Sequence, residues 1–310
     1  MEHPLQTTLN KPITFRGIGL HSGAPVRMVV KPAAVDSGIW FVRSDLEGDN
    51  RIPALYDATT PAQLCTRVAN ASGASVSTIE HIMAALAGCG VQNAVIDVDG
   101  PEIPVLDGSS AEFVTAILMV GRKDLNAPIR ALKILKTVEV RDGDAIARIE
   151  PAKTLHIDFH IRFNDAAIGK QDKKLSMANG AFVRELCDSR TFCRQSDVDA
   201  MRAAGLALGG SVKNAVVIDG DDVLTPGGLR HRDEAVRHKM LDALGDLALA
   251  GGPILGRYTG IRAGHALTNK LLRAIFADAN AWEWVKCDAR VSARLPGAGL
   301  HATDIPIAAE

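Results

Sequence analysis

Two stretches of this chain read the same way, and that repetition constrains the fold more than any other feature. In each, a helical run ends at a glycine stop and is followed by an apolar strand. In the first, Ile79, Ile82, Met83 and Leu86 recur at helical intervals, Gly88-Cys89-Gly90 stops the helix, and Asn93 to Val98 reads as a buried strand. In the second, a capped helix from Asp233 to Ala250 ends at Gly251-Gly252-Pro253, followed by a strand Ile254 to Ile261. Glu80-His81-Ile82-Met83 lines up with Arg237-His238-Lys239-Met240, so the pattern predicts an internal duplication. A further helix follows each strand. Ser109-Ser110-Ala111-Glu112 has capping-box spacing before a run to about Val120, and Ala266 to Ala277 closes the second unit. Ser77-Thr78-Ile79-Glu80 has the same spacing at the start of the first helix.

Short extended runs precede the first helix at Pro12 to Phe15, Val26 to Lys31 and Gly38 to Val42. The pattern lapses over Leu125 to Arg130 and resumes at Leu132 to Val140, which predicts an N-terminal domain over 1–126 and a C-terminal domain over 132–310. Between strands running through Phe163 and the helix at Asp233 lies an insertion, about 192–223. It has helix-like spacing at Val198, Met201 and Leu206, then Gly209-Gly210, then a strand Asn214 to Ile218, which reads as a strand-helix-strand arm.

Composition excludes several classes. With 310 residues, folding removes roughly 70 to 75 % of the unfolded surface from water, enough for a sizeable core. The 47 % hydrophobic content and net charge of -1 exclude intrinsic disorder. Phosphate neutralisation needs a basic excess, which 35 Lys+Arg against 36 Asp+Glu does not supply, and 4 % aromatics give few stacking platforms; no nucleic-acid partner is expected. The longest apolar stretches, such as Phe113 to Val120, fall far short of the roughly 18 to 20 residues that cross a bilayer. Met1 to Gln6 lacks a basic and an apolar region, so a cytoplasmic location is expected. Five scattered cysteines without C-x-x-C spacing predict free thiols.

His238 and Asp242, four apart on a helix, share one face, and Asp246 continues the stripe rotated by roughly 40°. This is metal-ligand spacing, although a solvated helix face has the same spacing. Glu80-His81 on the earlier helix would complete two histidines and a carboxylate, a set that suits Zn²⁺ with a coordination position left open. Read alone, Glu80 fits the third position of a capping box and His81 fits a core histidine. Spacing does not join residues so far apart into one site.

The motifs, however, resemble a known family over essentially the whole chain: the UDP-3-O-acyl-N-acetylglucosamine deacetylases, zinc amidases of lipid A synthesis. The resemblance rests on Gly17 to Gly23 (GIGLHSG), Val76 to His81 (VSTIEH) and Asp99 to Ser109 (DGPEIPVLDGS). It continues through Ser189 to Phe192 (SRTF), Gly205 to Ser211 (GLALGGS), Val236 to Leu247 (VRHKMLDALGDL) and Gly264 to Asn269 (GHALTN). It implies an α+β fold of two similar domains, each a sheet with two helices, packed as a β-α-α-β sandwich with the helices in the middle. The implied zinc ligands are His81, His238 and Asp242, with Fe²⁺ as the alternative metal. Glu80 is implied as general base, His265 as general acid or oxyanion stabiliser held by Asp246, and Thr191 as a hydroxyl on the oxyanion. Amide hydrolysis of a UDP-linked acylated amino sugar follows from the same resemblance, and a monomer is expected.

The comparison also assigns the insertion to the fatty acyl chain, with Phe192, Val198, Met201, Leu206 and Val212 lining the passage; an ordinary core strip has identical spacing. Lys239 resembles the residue at the UDP end, and Phe163 the one packed near the nucleotide. The chain departs from the pattern at Cys193-Arg194, Ala235 and Asn164-Asp165, on the acyl and nucleotide sides, while the metal and acid-base positions are intact. Two other readings are weaker. A metal-stabilised binding protein without turnover would have no need of Glu80, Thr191 and His265, and a dinucleotide loop at Gly17 to Gly23 lacks the surrounding βαβ unit.

Overall fold

The two repeated units form the centres of two sheets. The computed structural model describes residues 4–304. The first half comprises β1 (Leu5–Leu9), β2 (Ile13–Ile18), β3 (Pro25–Pro32), β4 (Ile39–Arg43), β5 (Arg51–Pro53), β6 (Thr59–Thr60), β7 (Arg67–Ala69) and β8 (Ser75–Ser77). It continues through α1 (Glu80–Gly88), β9 (Ala94–Val98) and α2 (Ala111–Val120) to β10 (Arg122–Pro128). The second half comprises β11 (Arg130–Ile134), β12 (Val138–Asp142), β13 (Ala145–Pro151), β14 (His156–Arg162), β15 (Lys170–Ser176), α3 (Ala181–Glu185), β16 (Phe192–Arg194), α4 (Gln195–Ala203), β17 (Val216–Asp219) and β18 (Asp222–Val223). It ends with α5 (Glu234–Ala248), β19 (Ile254–Ile261), α6 (His265–Ala277), β20 (Trp282–Lys286) and α7 (Ala289–Ser292).

The duplication is visible in the strand pairing. In the first sheet β2, β3 and β9 pair antiparallel in turn, β9 pairs parallel with β4, and β4 antiparallel with β5. The second repeats this order and sense as β12, β13, β19, β14 and β15, and β11 pairs parallel with the start of the central strand β19 and antiparallel with β20. One helix precedes and one follows the central strand in each half, as the parallel β9/β4 and β19/β14 pairs require a crossover. Each half also carries an insertion at the same place, before its first long helix: β6 to β8 in one, β16 to β18 with α4 in the other. β16 and β17 pair parallel across α4, the strand-helix-strand arm read from the sequence.

The helices occupy the middle layer. Every residue of α1 except Ala87 is buried, and α5 buries twelve of its fifteen. A helix apolar or paired all round belongs inside a protein. β9 turns Ala94, Ile96 and Val98 inward in strict alternation, as a strand with one core-facing side must. Phe15 on β2 meets Phe113 on α2 edge to face at 4.9 Å, contributing about 0.5–1.5 kcal/mol beyond burial. The exposed side of β15 is rich in lysine, which discourages pairing with another chain.

Several local expectations are corrected. The stretch 125–130 forms the end of β10, which pairs antiparallel with β1, and the start of β11; partner strands outweigh the poor strand propensity of Asn126 and Pro128. Leu132 to Val140 divides into β11 and β12. Ser77 does not cap α1, whose first flanking residue is Ile79; at α2 the flanking residue is Ser110, which donates to the carbonyl of His81, while the Ser109 hydroxyl accepts from the Ala111 N–H at 3.1 Å. α4 ends at Ala203, so Leu206 lies beyond the helix. Among the described residues the five cysteines form no disulfide. Among the described residues no helix is long and apolar enough to cross a membrane. Of the amino-terminal stretch Met1 to Gln6, the first three residues lie outside the described ones.

Candidate active site

α1 and α5 cross where a glycine lets them. A Cβ on Gly245 would lie 2.0 Å from the backbone oxygen of Glu80, so only glycine permits this approach. The crossing brings His81 from the first half against His238 and Asp242 from the second. Their ligating atoms all lie within 4.8 Å of one another, and all three residues are buried. Asp242 Oδ1 is 3.3 Å from His238 Nε2 and 3.7 Å from His81 Nε2, and it has no hydrogen-bond partner. Donors about 2.0–2.2 Å from one tetrahedral ion lie roughly 3.3–3.6 Å apart, so the set fits a single divalent cation. A buried carboxylate oxygen left unpaired without such an ion would be costly.

The surroundings suit these groups to holding a cation. His238 Nδ1 lies 3.0 Å from the carbonyl of Ser189, which can only accept; Nδ1 therefore carries the proton and Nε2 presents its lone pair. Burial pushes His238 down to about 4, which keeps the ring neutral. Burial opposes ionisation of Asp242, but His238 and Lys239 outweigh it and hold the carboxyl well below its usual range. Lys239 Nζ donates to Asp242 Oδ2 at 2.8 Å, so this lysine bonds a candidate ligand directly.

Beside this cluster is a second one. Glu80 is the first residue of α1, and Thr78, two residues earlier, has φ +60°, a sparsely populated conformation for a β-branched residue that turns the chain sharply into the helix. The Glu80 side chain does not cap its own helix: Oε2 accepts from the Thr66 N–H at 3.0 Å, and Oε1 lies 3.8 Å from His265 Nε2. Burial raises its carboxyl, and His265 and His81 offset only part of that rise. His265, the first residue of α6, holds Asp246 Oδ2 with Nδ1 at 2.9 Å. Burial works against charge on this ring, but Asp246 and Glu80 prevail and push it up to about 9. A proton acceptor and a proton donor thus face each other next to the metal-ligand set.

Thr191 is on the segment whose Ser189 holds His238; its N–H donates to Gly108 O and its carbonyl accepts from Val216 N–H, both at 2.8 Å. Phe192 packs edge to face near His238 at 6.3 Å between ring centres, and Phe163 meets Phe192 at 5.5 Å, so these two rings form one aromatic wall. Val198 and Met201 on α4 and Leu206 after it are half-buried, and Val212 is exposed. The arm therefore leaves apolar surface partly uncovered. Its Leu208 and Gly209 donate to the carbonyls of His21 and Leu20 in the glycine-rich stretch. The sequence offered no signal for Thr66, whose hydroxyl bonds Asp246 Oδ1 at 2.5 Å, or for the carbonyl of Ser189. Glu102, quoted only within a motif, fixes this rim by accepting from His21 N–H, Ser22 and Thr78.

The sequence also matches known proteins. The model of the family described as LpxC, UDP-3-O-acyl N-acetylglycosamine deacetylase, matches residues 6–277. A UDP-3-O-acyl-N-acetylglucosamine deacetylase of Phenylobacterium zucineum is 52 % identical over 278 residues, 89 % of this chain and 95 % of the relative. Proteins of the same name from Shewanella pealeana and Anaeromyxobacter sp. are 44 % identical over 303 residues and 46 % over 293. These cover 96 % and 94 % of this chain, and 99 % and 95 % of the relatives. The matched span takes in both helices that cross at Gly245 and the start of α6, and likeness on this scale makes the chain a member of the UDP-3-O-acyl N-acetylglycosamine deacetylase family.

Proposed function

We propose that this protein hydrolyses the N-acetyl amide of a UDP-3-O-[(3R)-3-hydroxyacyl]-N-acetylglucosamine, giving the UDP-3-O-acyl-glucosamine and acetate, the committed step of lipid A biosynthesis. The observation that carries this reading is the convergence of His81, His238 and Asp242 beside a buried carboxylate and a buried, Asp-paired histidine. His81 Nε2, His238 Nε2 and Asp242 Oδ1 would hold the cation. Bound there, Zn²⁺ supplies polarisation of the acetamide carbonyl and brings water to a pKa of about 7.

This chain's own residues do the rest. Glu80 accepts a proton from the attacking water, a task favoured by a carboxyl whose proton affinity burial raises above the ordinary value. His265, protonated at neutral pH, donates through Nε2 to the carbonyl oxygen as negative charge develops and then gives its proton to the departing amine. Asp246 fixes the ring by accepting the Nδ1–H hydrogen bond, which leaves both protons on His265 and turns Nε2 to the reaction. Thr191 offers a further hydroxyl donor from the segment beside His238. Phe163 packs the nucleotide side and Phe192, against it, begins the acyl passage, with Lys239 near the diphosphate and holding Asp242. The partly uncovered Val198, Met201, Leu206 and Val212 shelter the acyl chain, each buried CH₂ contributing about 0.8 kcal/mol. Five cysteines, four of them buried and none in a disulfide among the described residues, suit a reducing cytoplasm.

The test is acetate release from the acylated sugar nucleotide before and after chelation, with Zn²⁺ and Fe²⁺ returned separately. Turnover lost on chelation and restored by stoichiometric metal supports the reading; turnover that persists in metal-free protein, or no acetate from the holoprotein, contradicts it. The metal that restores activity at one equivalent identifies the cofactor.

A further inference from the structure

Thr66 belongs to the first half's insertion, one residue before β7, and all three of its polar groups engage the site. Its N–H donates to Glu80 Oε2 at 3.0 Å, its hydroxyl to Asp246 Oδ1 at 2.5 Å, and its carbonyl accepts from the N–H of Ile79, the residue before Glu80, at 3.3 Å. The residue is buried. The other oxygens of the two carboxylates face one ring: Asp246 Oδ2 bonds His265 Nδ1 at 2.9 Å, and Glu80 Oε1 lies 3.8 Å from His265 Nε2. Thr66, Glu80, His265 and Asp246 thus close a circuit in which Thr66 is the one member that cannot ionise at neutral pH. The chain enters this position under strain, with Leu64 at φ +60° and exposed, as expected for a loop held to a fixed point at its inner end.

A hydroxyl has one proton to give, and here a carboxylate takes it in a short charge-assisted bond. That bond fixes the rotation of the Asp246 carboxylate, which in turn sets the plane of the His265 ring. The backbone N–H holding Glu80 is independent of the side chain. We infer that Thr66 is a positioning residue whose hydroxyl, acting through Asp246, aims His265 Nε2 at the point that Glu80 faces, and so sets the spacing of acid and base across the two halves. The inference rests on the deacetylation proposed above.

Thr66→Val replaces the hydroxyl by a methyl at nearly constant shape and leaves the backbone donor to Glu80 in place. It should lower kcat about 10- to 100-fold with KM and metal content unchanged, and Thr66→Ser should restore most of the loss. A readout independent of turnover is the ring Nδ1 proton of His265 by NMR: its resonance should shift in T66V and return in T66S. If T66V does not accumulate folded, Thr66→Ala set against T66S makes the same comparison. Wild-type kcat in T66V, an equal loss in T66S, or a loss that tracks missing metal would overturn the inference. Wild-type acetate release in the same assay separates failure of the deacetylase reading from failure of this one.

Discussion

Replacing Gly245 by alanine attacks the crossing on which the site depends. The added Cβ would sit 2.0 Å from Glu80 O, 2.8 Å from Glu80 C and 3.1 Å from Ala84 N, all backbone atoms of α1 that no rotamer change can move. Relief to an ordinary 3.4 Å contact needs about 1.4 Å of separation between α1 and α5. His81 travels with one helix, His238 and Asp242 with the other. A separation of 3.7 Å between His81 Nε2 and Asp242 Oδ1 would widen toward 5 Å, roughly, whereas a metal site tolerates about 0.2 Å. Overpacking should cost about 1–3 kcal/mol in urea unfolding. Misplacement by an ångström or more should lower kcat/KM by about 100-fold or more. The assay is metal content after dialysis against graded chelator, run beside acetate release. A folded Gly245→Ala protein that keeps metal and turnover at wild-type levels would refute the geometric argument.

Glu80→Gln keeps an acceptor for the Thr66 N–H but cannot take a proton, so kcat should fall about 10²- to 10⁴-fold with metal content and stability nearly unchanged; a helix-capping role alone would leave kcat intact. His265→Ala should lower kcat at least about 10²-fold with metal retained, and near-normal turnover would defeat its assigned role. Glu234 gives a pH dependence. Burial would raise its carboxyl, but hydrogen bonds from the Arg190 side chain and from the N–H groups of Arg190 and Arg230 prevail and hold it below its ordinary 4.5. A lowered carboxyl contributes stability that is complete above the unfolded value and lost as pH falls through the folded one. Urea midpoints should therefore drop below about pH 4.5, and in Glu234→Gln the acid limb should flatten while stability at pH 7 falls by about 3–5 kcal/mol, because Arg190 is left buried without its partner. An acid limb identical to wild type would contradict this.

Periodicity was a good guide wherever local pattern and tertiary context agree. β19 has the bounds the apolar run suggested, and α5 differs from its expected span by a residue or two at each end, because a glycine stop and a continuous apolar face leave few alternatives. The i, i+4 relation of His238 and Asp242 was legible for the same reason. His81 was not: nothing in local spacing says that α1 and α5 cross, and the close approach at Gly245 is a property of the packed pair. Its place in one site came from family resemblance. Capping-box spacing misled at Ser77, since Glu80 is drawn away by Thr66, whereas at α2 the Ser109 hydroxyl does hold a first-turn N–H, that of Ala111. Thr66 itself carries no signal, because a threonine in a loop is ordinary until two carboxylates from different halves meet it. In the insertion, helical spacing extended to Leu206, but the helix ends at Ala203 before the positive-φ turn at Gly205, so the apolar stripe does not continue on one helical face.

The most direct test of the central claim is anomalous diffraction at the zinc edge from crystals of the metal-loaded protein. The account predicts one strong peak about 2.0–2.2 Å from His81 Nε2, His238 Nε2 and an oxygen of Asp242. A peak elsewhere, or one in contact with His238 and Asp242 but not with His81, would contradict it.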